Sequence, residues 1–227
     1  MKPRNLVIGF AWIALAISLP ALGEVSAVLD DSGSYSGMVF RMTNSGGVLR
    51  IWSSSAPTFD RRPLNPSGDL LGDLAPSVVE SPIADRWPIA VWAHPNGGDY
   101  DLVFSRFTGR TWTPMAFVEL DNSYNDLDPR MVMNSTGRPY MVWYRTEPGG
   151  GAVYFSLFLQ SRWMTPIRVS ASGIDATAPQ LQLSSDTRVT VTYTTPGGPQ
   201  TRTLTIPNTD SITDDIDPKI RTQISIN

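Results

Sequence analysis

Apolar and polar residues alternate along most of this chain. Arg188-Val189-Thr190-Val191-Thr192-Tyr193 and Arg202-Thr203-Leu204-Thr205-Ile206 put apolar side chains on one face and polar ones on the other, the period of a half-buried strand. Tyr140-Met141-Val142-Trp143-Tyr144 is apolar on both faces, as a strand buried between two sheets would be. The runs are short. Between them sit Ser45-Gly46-Gly47, Asn96-Gly97-Gly98, Pro148-Gly149-Gly150-Gly151 and Pro196-Gly197-Gly198, which supply the positive-φ positions that tight hairpins require. The pattern predicts strands throughout and needs no helix after Val25.

The runs also repeat. Ala75-Pro76, Pro88 to Trp92, Leu102 to Ser105 and Trp112 return as Asp128-Pro129, Pro139 to Trp143, Val153 to Ser156 and Trp163. A worn copy follows in Ala178-Pro179, Val189 to Tyr193 and Arg202 to Thr205, and a fainter one precedes in Gly37 to Ser53. Trp92, Trp143 and Tyr193 step by 51 and then 50 residues. A repeat of this length made of short strands is the signature of a propeller blade. The expected fold is all-β: a β-propeller of about four blades, near residues 25–74, 75–127, 128–177 and 178–227, either closed or left open and incomplete.

Within a blade, strands A to D run outward from the axis. In the second unit they fall at Ser77 to Glu80, Pro88 to Ala93, Asp101 to Phe107 and Thr111 to Val118; in the third, at Arg130 to Asn134, Pro139 to Arg145, Ala152 to Leu159 and Trp163 to Val169. The A–B and C–D turns then share one face of the disc, and the B–C turns and the D-to-A links share the other. Pro218 to Ile226 alternates cleanly. It reads either as strand D of the fourth blade or, because Asp215-Ile216-Asp217-Pro218 echoes Asp126-Leu127-Asp128-Pro129, as strand A of an unfinished fifth. An unfinished blade would expose edges and an apolar face and favour a homo-oligomer.

The ends and composition narrow the class. Lys2 and Arg4 precede an apolar run from Leu6 to Leu22, with small residues around Gly23, so residues 1–23 read as a signal peptide and 24–227 as the propeller domain of a secreted or periplasmic protein, with no membrane attachment after cleavage; an uncleaved membrane anchor is the competing reading, against which the run is near the short limit for a span and holds Pro20. There is no cysteine, so export is not used to gain disulfides. The net charge is −3 and no basic cluster exceeds Arg61-Arg62, which gives no footprint for nucleic acid.

Ser105-Arg106-Phe107-Thr108-Gly109-Arg110-Thr111-Trp112 resembles the Asp-box of sialidase-like (BNR) propellers, which runs Ser, any, Asp, any, Gly, any, Thr, Trp. Phe107 stands where that family has Asp. Ser156 to Trp163 keeps only the Ser and the Trp. The resemblance implies a sialidase-like propeller scaffold, with the Asp-box as a folding element on the face away from the site. It implies no sialidase activity. No Arg-Ile-Pro type motif stands at the beginning of the mature chain, Arg145 is the only arginine placed on the ligand face where the family uses three, Arg86 and Arg138 falling near A–B turns on the other, and the chain is short of its six blades. Trp112 and Trp163 are expected to fold back over their own hairpins, although sugar stacking is the alternative.

The opposite face gathers the candidate chemistry. Asp73, Asp126, Asp175 and Asp215 each precede a blade-opening proline by three or four residues, and Asp128 and Asp217 stand directly before one. The B–C turns add His94 and Tyr100 in one blade, and Arg145 and Glu147 in the next. The predicted ligand site is therefore Asp126, Asp128, Arg145, Glu147, His94 and Tyr100. The competing reading takes Asp before Pro as turn chemistry alone. Asp128 and Arg145 are expected to be partly exposed loop groups whose removal spares the fold. No cofactor and no metal are expected: His94 is the only histidine, with no cysteine partner for zinc, and the acids of 210–217 lack the spacing of a calcium loop. No catalytic residues are assigned. The function these residues predict is ligand binding without catalysis, with a glycan as the first candidate. The alternatives are a glycoside hydrolase with a reduced site, and a structural or protein-interaction module.

Overall fold

The computed structural model describes residues 25–29, 40–45, 48–53, 64, 72–79, 81–83, 88–108, 112–119, 122–208 and 216–227. The proposed signal peptide, the Gly46-Gly47 turn, Gly109 to Thr111 and most of the acidic run after Thr209 lie outside these residues.

Four antiparallel sheets follow one another along the chain. The first holds β1 (Val25–Leu29), β2 (Phe40–Ser45) and β3 (Val48–Ser53). The second holds β4 (Leu74–Val79), β5 (Ile89–Asn96), β6 (Asp99–Arg106) and β7 (Ala116–Phe117). The third holds β8 (Asp126–Met133), β9 (Pro139–Glu147) and β10 (Gly150–Leu159), with its outer strand split into β11 (Arg162–Trp163) and β12 (Ile167–Arg168). The fourth holds β13 (Thr177–Ser185), β14 (Arg188–Thr195), β15 (Gly198–Thr205) and β16 (Ser225–Ile226). The leading strands touch in series: β1 on β4, β4 on β8, and β8 on β13. Each therefore lies innermost, and the sheets radiate as propeller blades.

The third sheet shows why the strand with two apolar faces forms where it does. Tyr140 and Val142 of β9 pack toward the fourth sheet on Val189, Val191, Tyr193 and Leu204. Met141 and Trp143 pack toward the second, with Ile89, Val91, Ala93 and Phe104. Every one of these four β9 side chains is buried to within 1%. The predicted Gly hairpins are present as two-residue turns between Asn96 and Asp99, Glu147 and Gly150, and Thr195 and Gly198. Gly97, Gly98 and Gly149 adopt positive φ within the first two of these turns, and Gly198 does so where the third rejoins its strand.

Three expectations change. First, the Asp-Pro and Ala-Pro steps are not turns. Ala75, Asp128 and Ala178 lie inside β4, β8 and β13 at positive φ (46°, 54° and 50°), each at a register shift of the ladder. Each is a β-bulge in a sheet-edge strand, the setting in which the following proline, having no N–H, is tolerated. Strand A accordingly begins three to four residues earlier than the alternation suggests. Second, the outer strands shrink to two-residue fragments, which leaves little edge for unwanted pairing.

Third, the C-terminal segment is not one strand. Helix α1 (Ile216–Gln223) forms first, slightly more than two turns, and only Ser225–Ile226 pairs, as the outer strand of the fourth sheet. Among the described residues there is no fifth blade. Ile216, Ile220 and Ile224 fit a helical spacing of four as well as an alternating one, so the pattern is ambiguous. Pro218 falls in the first turn, where a missing N–H costs nothing, and Arg221 falls in the last, where the helix dipole favours a cation. Ile220 is fully buried against the fourth sheet, which decides the matter. The outward face of that sheet is polar. Gln180, Thr192 and Thr201 align across it, as do Gln182, Thr190 and Thr203.

Candidate functional site

The face formed by the B–C turns and D-to-A links carries a linked set of charges. Asp126 opens β8 directly opposite Arg145 on β9. Arg145 donates from Nε to Asp126 Oδ1 at 2.7 Å and from Nη2 to Oδ2 at 2.8 Å, a two-pronged ion pair. The same Nη2 reaches Glu119 Oε2 at 2.5 Å. Trp143 Nε1 donates to Asp126 Oδ1 at 2.9 Å, and Asn122 Nδ2 to Oδ2 at 2.9 Å. Asp126 is 2% exposed and Arg145 6%. Burial alone would pull the guanidinium down, but the Asp126 and Glu119 carboxylates overcome it and hold it above its ordinary value. Its charge also lies 4.5 Å from the centre of the Tyr154 ring, which in turn stacks on Trp143.

Tyr154 extends the network. Its hydroxyl donates to Glu147 Oε1 at 2.5 Å, and Glu147 Oε2 receives Arg168 Nη1 at 2.5 Å. Burial, then the Glu147 carboxylate, push the Tyr154 phenol up. From the neighbouring sheet, the Tyr100 amide donates to Asn125 Oδ1 at 3.1 Å, and Asn125 is held by Thr146.

The second sheet carries an analogous pair. Asp73 precedes the β4 bulge as Asp126 precedes that of β8, and its Oδ1 lies 2.8 Å from Nδ1 of His94. Both groups are buried. Trp92 matches Trp143 in position, yet its Nε1 has no hydrogen-bond partner among the described residues. In the fourth sheet the pair is gone: Asp175 accepts from the Gly151 amide at 2.6 Å and Thr195 stands where the base would be.

The structure thus brings Asp126, Arg145 and Glu147 onto one network, with Tyr100 tied in through its backbone. His94 belongs to a separate pair one sheet away. Asp128 stands apart, on the bulge, bridging to Arg130 at 2.6 Å. Arg145 is not the exposed loop group expected; it lies within a strand and is buried. Glu119, Tyr154 and Arg168 are members that the sequence reading misses. Arg168 and Glu119 lie in the irregular outer strand and link, where the repeat offers no alignment. Tyr154 sits in an apolar run that reads as core.

Beside this network an open groove of about 600 Å³ runs between the third and fourth sheets. Gly149, Asp175, Tyr193, Thr195, Gln200 and Arg202 are among its lining residues. It shares the 147–150 hairpin and the 168–175 link with the charge network. Among the described residues no group of three or more His, Cys, Asp or Glu side chains could hold a metal ion.

On the other face, the two C–D hairpins close alike. Ser105 Oγ donates to the Thr113 carbonyl at 2.7 Å, and Ser156 Oγ to that of Met164 at 2.6 Å. Phe107 packs on Trp112 and Phe158 on Trp163, with ring centres 5.5 and 5.4 Å apart. The tryptophans do fold back over their hairpins, and phenylalanine fills the place of the missing Asp.

No family model matches the chain, and no curated protein matches it. Among solved structures it resembles the Penicillium chrysogenum α-L-arabinanase complexed with arabinobiose, at TM-score 0.52 and 13% identity over 77% of this chain. The chain spans 61% of that enzyme's length. It also resembles the Bacteroides thetaiotaomicron endo-arabinase (TM-score 0.48, 14% identity, 82% of this chain and 75% of that one) and the Streptococcus pneumoniae NanB sialidase (0.49, 14%, 75% and 28%). These neighbours are β-propellers, and at 13% identity the likeness to the Penicillium arabinanase shows the fold alone.

Proposed function

We propose that the chain is an exported β-propeller that binds a glycan in the groove between its third and fourth sheets and performs no catalysis of its own. One observation carries this reading: the carboxylates of the charge network are spent on partners within that network. Asp126 and Glu119 are committed to Arg145, and Glu147 to Arg168 and Tyr154. Glycoside hydrolysis needs two carboxyl groups free to face a substrate. The adjoining groove adds, among the described residues, a single carboxylate, Asp175, which accepts from the Gly151 amide, and offers neutral hydrogen-bonding groups, Thr195 and Gln200, beside Arg202 and the Tyr193 ring, in a volume suited to a small saccharide. The like-folded arabinanase was solved with arabinobiose, which makes short arabino-oligosaccharides the first glycans to try.

The Tyr154–Glu147 contact favours the hydrolase alternative, since a tyrosine backed by an acid can serve as a nucleophile. Its environment works against that role, because a phenol pushed up is harder to ionise.

The test is a glycan array with the chain from residue 24 onward, followed by chromatography of any ligand after long incubation. Expected is binding that weakens in the Gln200→Ala and Arg202→Ala variants, with the ligand recovered intact. Cleaved product would overturn the non-catalytic reading, and an empty array would overturn glycan binding.

A further inference from the structure

We propose that Ile174 is the groove residue that meets the C–H face of a bound sugar ring, and that Arg168 is the positioning residue that holds it there. This rests on the glycan reading of the groove. Among the described residues the exposed large apolar side chains are Leu74, Phe117, Tyr124 and Ile174, and Ile174, 46% exposed, is the one that lines this groove. It belongs to none of the three core clusters. From the fourth sheet, Thr195, Gln200 and Arg202 line the same groove and offer hydrogen bonds. A saccharide ring carries hydroxyls at its edge and C–H groups on its face, so its site pairs a few polar groups with an apolar surface.

The link that carries Ile174 is tied down at both ends. At the near end Arg168 spends its whole guanidinium on three acceptors. Nη1 donates to Glu147 Oε2 at 2.5 Å, Nε to the Ser170 carbonyl at 3.2 Å, and Nη2 to the Ala171 carbonyl at 3.2 Å. Ser170 is fixed in turn, its Oγ accepting from the Val153 amide at 3.0 Å. At the far end Asp175 Oδ1 accepts from the Gly151 amide at 2.6 Å, and the Ala176 amide donates to the Gly151 carbonyl at 2.9 Å. The link lies so close to the hairpin there that a Cβ on Gly150 would stand 3.1 Å from that of Asp175.

Residues 172–174 alone span between these anchors, with Gly173 at φ 73°. So short a span between fixed ends has little freedom left to lose. Ile174 is held at the groove before a ligand arrives, and binding costs little further ordering. The fork of Arg168 is what reaches the carboxylate and both carbonyls at once. A lysine there keeps the charge beside Glu147 but has no planar fork to span all three.

Calorimetry of the full chain with arabinobiose, or with the tightest saccharide of the array where arabinobiose does not bind, tests the contact. Amide hydrogen exchange over residues 170–176 tests the strap without any ligand. Ile174→Ser is expected to weaken the saccharide about fivefold, the scale of removing roughly half of an isoleucine's apolar burial, and Ile174→Val about twofold. Both should unfold in urea as the wild type does. Arg168→Lys is expected to speed exchange at 171–174 and to weaken the saccharide by a factor similar to Ile174→Ser. Added to Ile174→Ser it should weaken binding no further, because it acts through Ile174; additive losses would make Arg168 merely structural. If no saccharide binds, or if Gln200→Ala and Arg202→Ala leave binding unchanged, the glycan reading itself fails. If those two variants weaken binding and Ile174→Ser does not, the Ile174 contact alone is overturned. Unchanged exchange in Arg168→Lys overturns the positioning role.

Discussion

Replacing Asp126 with alanine removes the acceptor on which four donor contacts converge. Arg145 would be left buried, its side chain 7% exposed, with only Glu119 as counter-charge, and Glu119 is itself 31% exposed. Breaking a buried ion pair from one side costs about 3–5 kcal/mol. The fully buried Trp143 indole loses its acceptor as well, a penalty of about 1–3 kcal/mol, while the half-buried Asn122 amide can turn to water. These costs overlap, because the same local relaxation relieves them, so the expected loss is about 4 kcal/mol. That is a large share of a typical domain stability of about 5–15 kcal/mol. Asp128→Ala is the control. Its bridge to Arg130 is a third or more exposed on both sides and contributes about 1 kcal/mol at most. Urea unfolding of the three proteins, followed by tryptophan fluorescence, gives the comparison. Asp126→Leu combined with Arg145→Met should recover much of the loss, since it removes both charges together. A loss at Asp126→Ala no larger than at Asp128→Ala, or a double variant as unstable as the single, would refute the buried-pair reasoning.

Tyr140 is fully buried, donates to the Asp186 carbonyl at 2.6 Å, and burial pushes its phenol up. A raised folded value means that its contribution is intact below the ordinary tyrosine range, about 10, and is lost as pH climbs through the folded value. Stability should therefore hold from neutral pH to the onset of tyrosine ionisation and then fall, less steeply in Tyr140→Phe; identical alkaline profiles would exclude this source. Gly151→Ala should destabilise by about 2 kcal/mol or more through overpacking, because an added Cβ would stand 2.1 Å from the Tyr144 ring and 2.9 Å from the Ala176 carbonyl; a thermal midpoint equal to wild type would show that the seam can open. The polar outer face of the fourth sheet gives no apolar surface for pairing, so light scattering should find no association through it, and a dimer abolished by charge substitutions at Thr192 and Thr201 would contradict this.

The strand sequence is legible because alternation and the fifty-residue spacing are local facts. Trp92, Trp143 and Tyr193 mark the same position in three sheets by their spacing alone. The C-terminal segment is not legible, because Ile216, Ile220 and Ile224 satisfy both periods, and only burial of Ile220 against the fourth sheet selects the helix. The Asp-Pro steps look like turns because proline and aspartate favour turns. That they are bulges follows from ladder partners on the next strand, which a linear reading does not hold. The acids of the site are visible as a pattern, but their state is not. Asp126 and Arg145 are 19 residues apart in the chain and meet only because β8 and β9 pair in one register. Glu119 and Arg168 come from links and broken outer strands that carry no period. Sequence alone determined the strands, their order and the faces they bury, since these depend on each segment's own pattern. Tertiary structure decided which charges neutralise one another and which surfaces stay open, because those depend on distances between segments that the pattern leaves free.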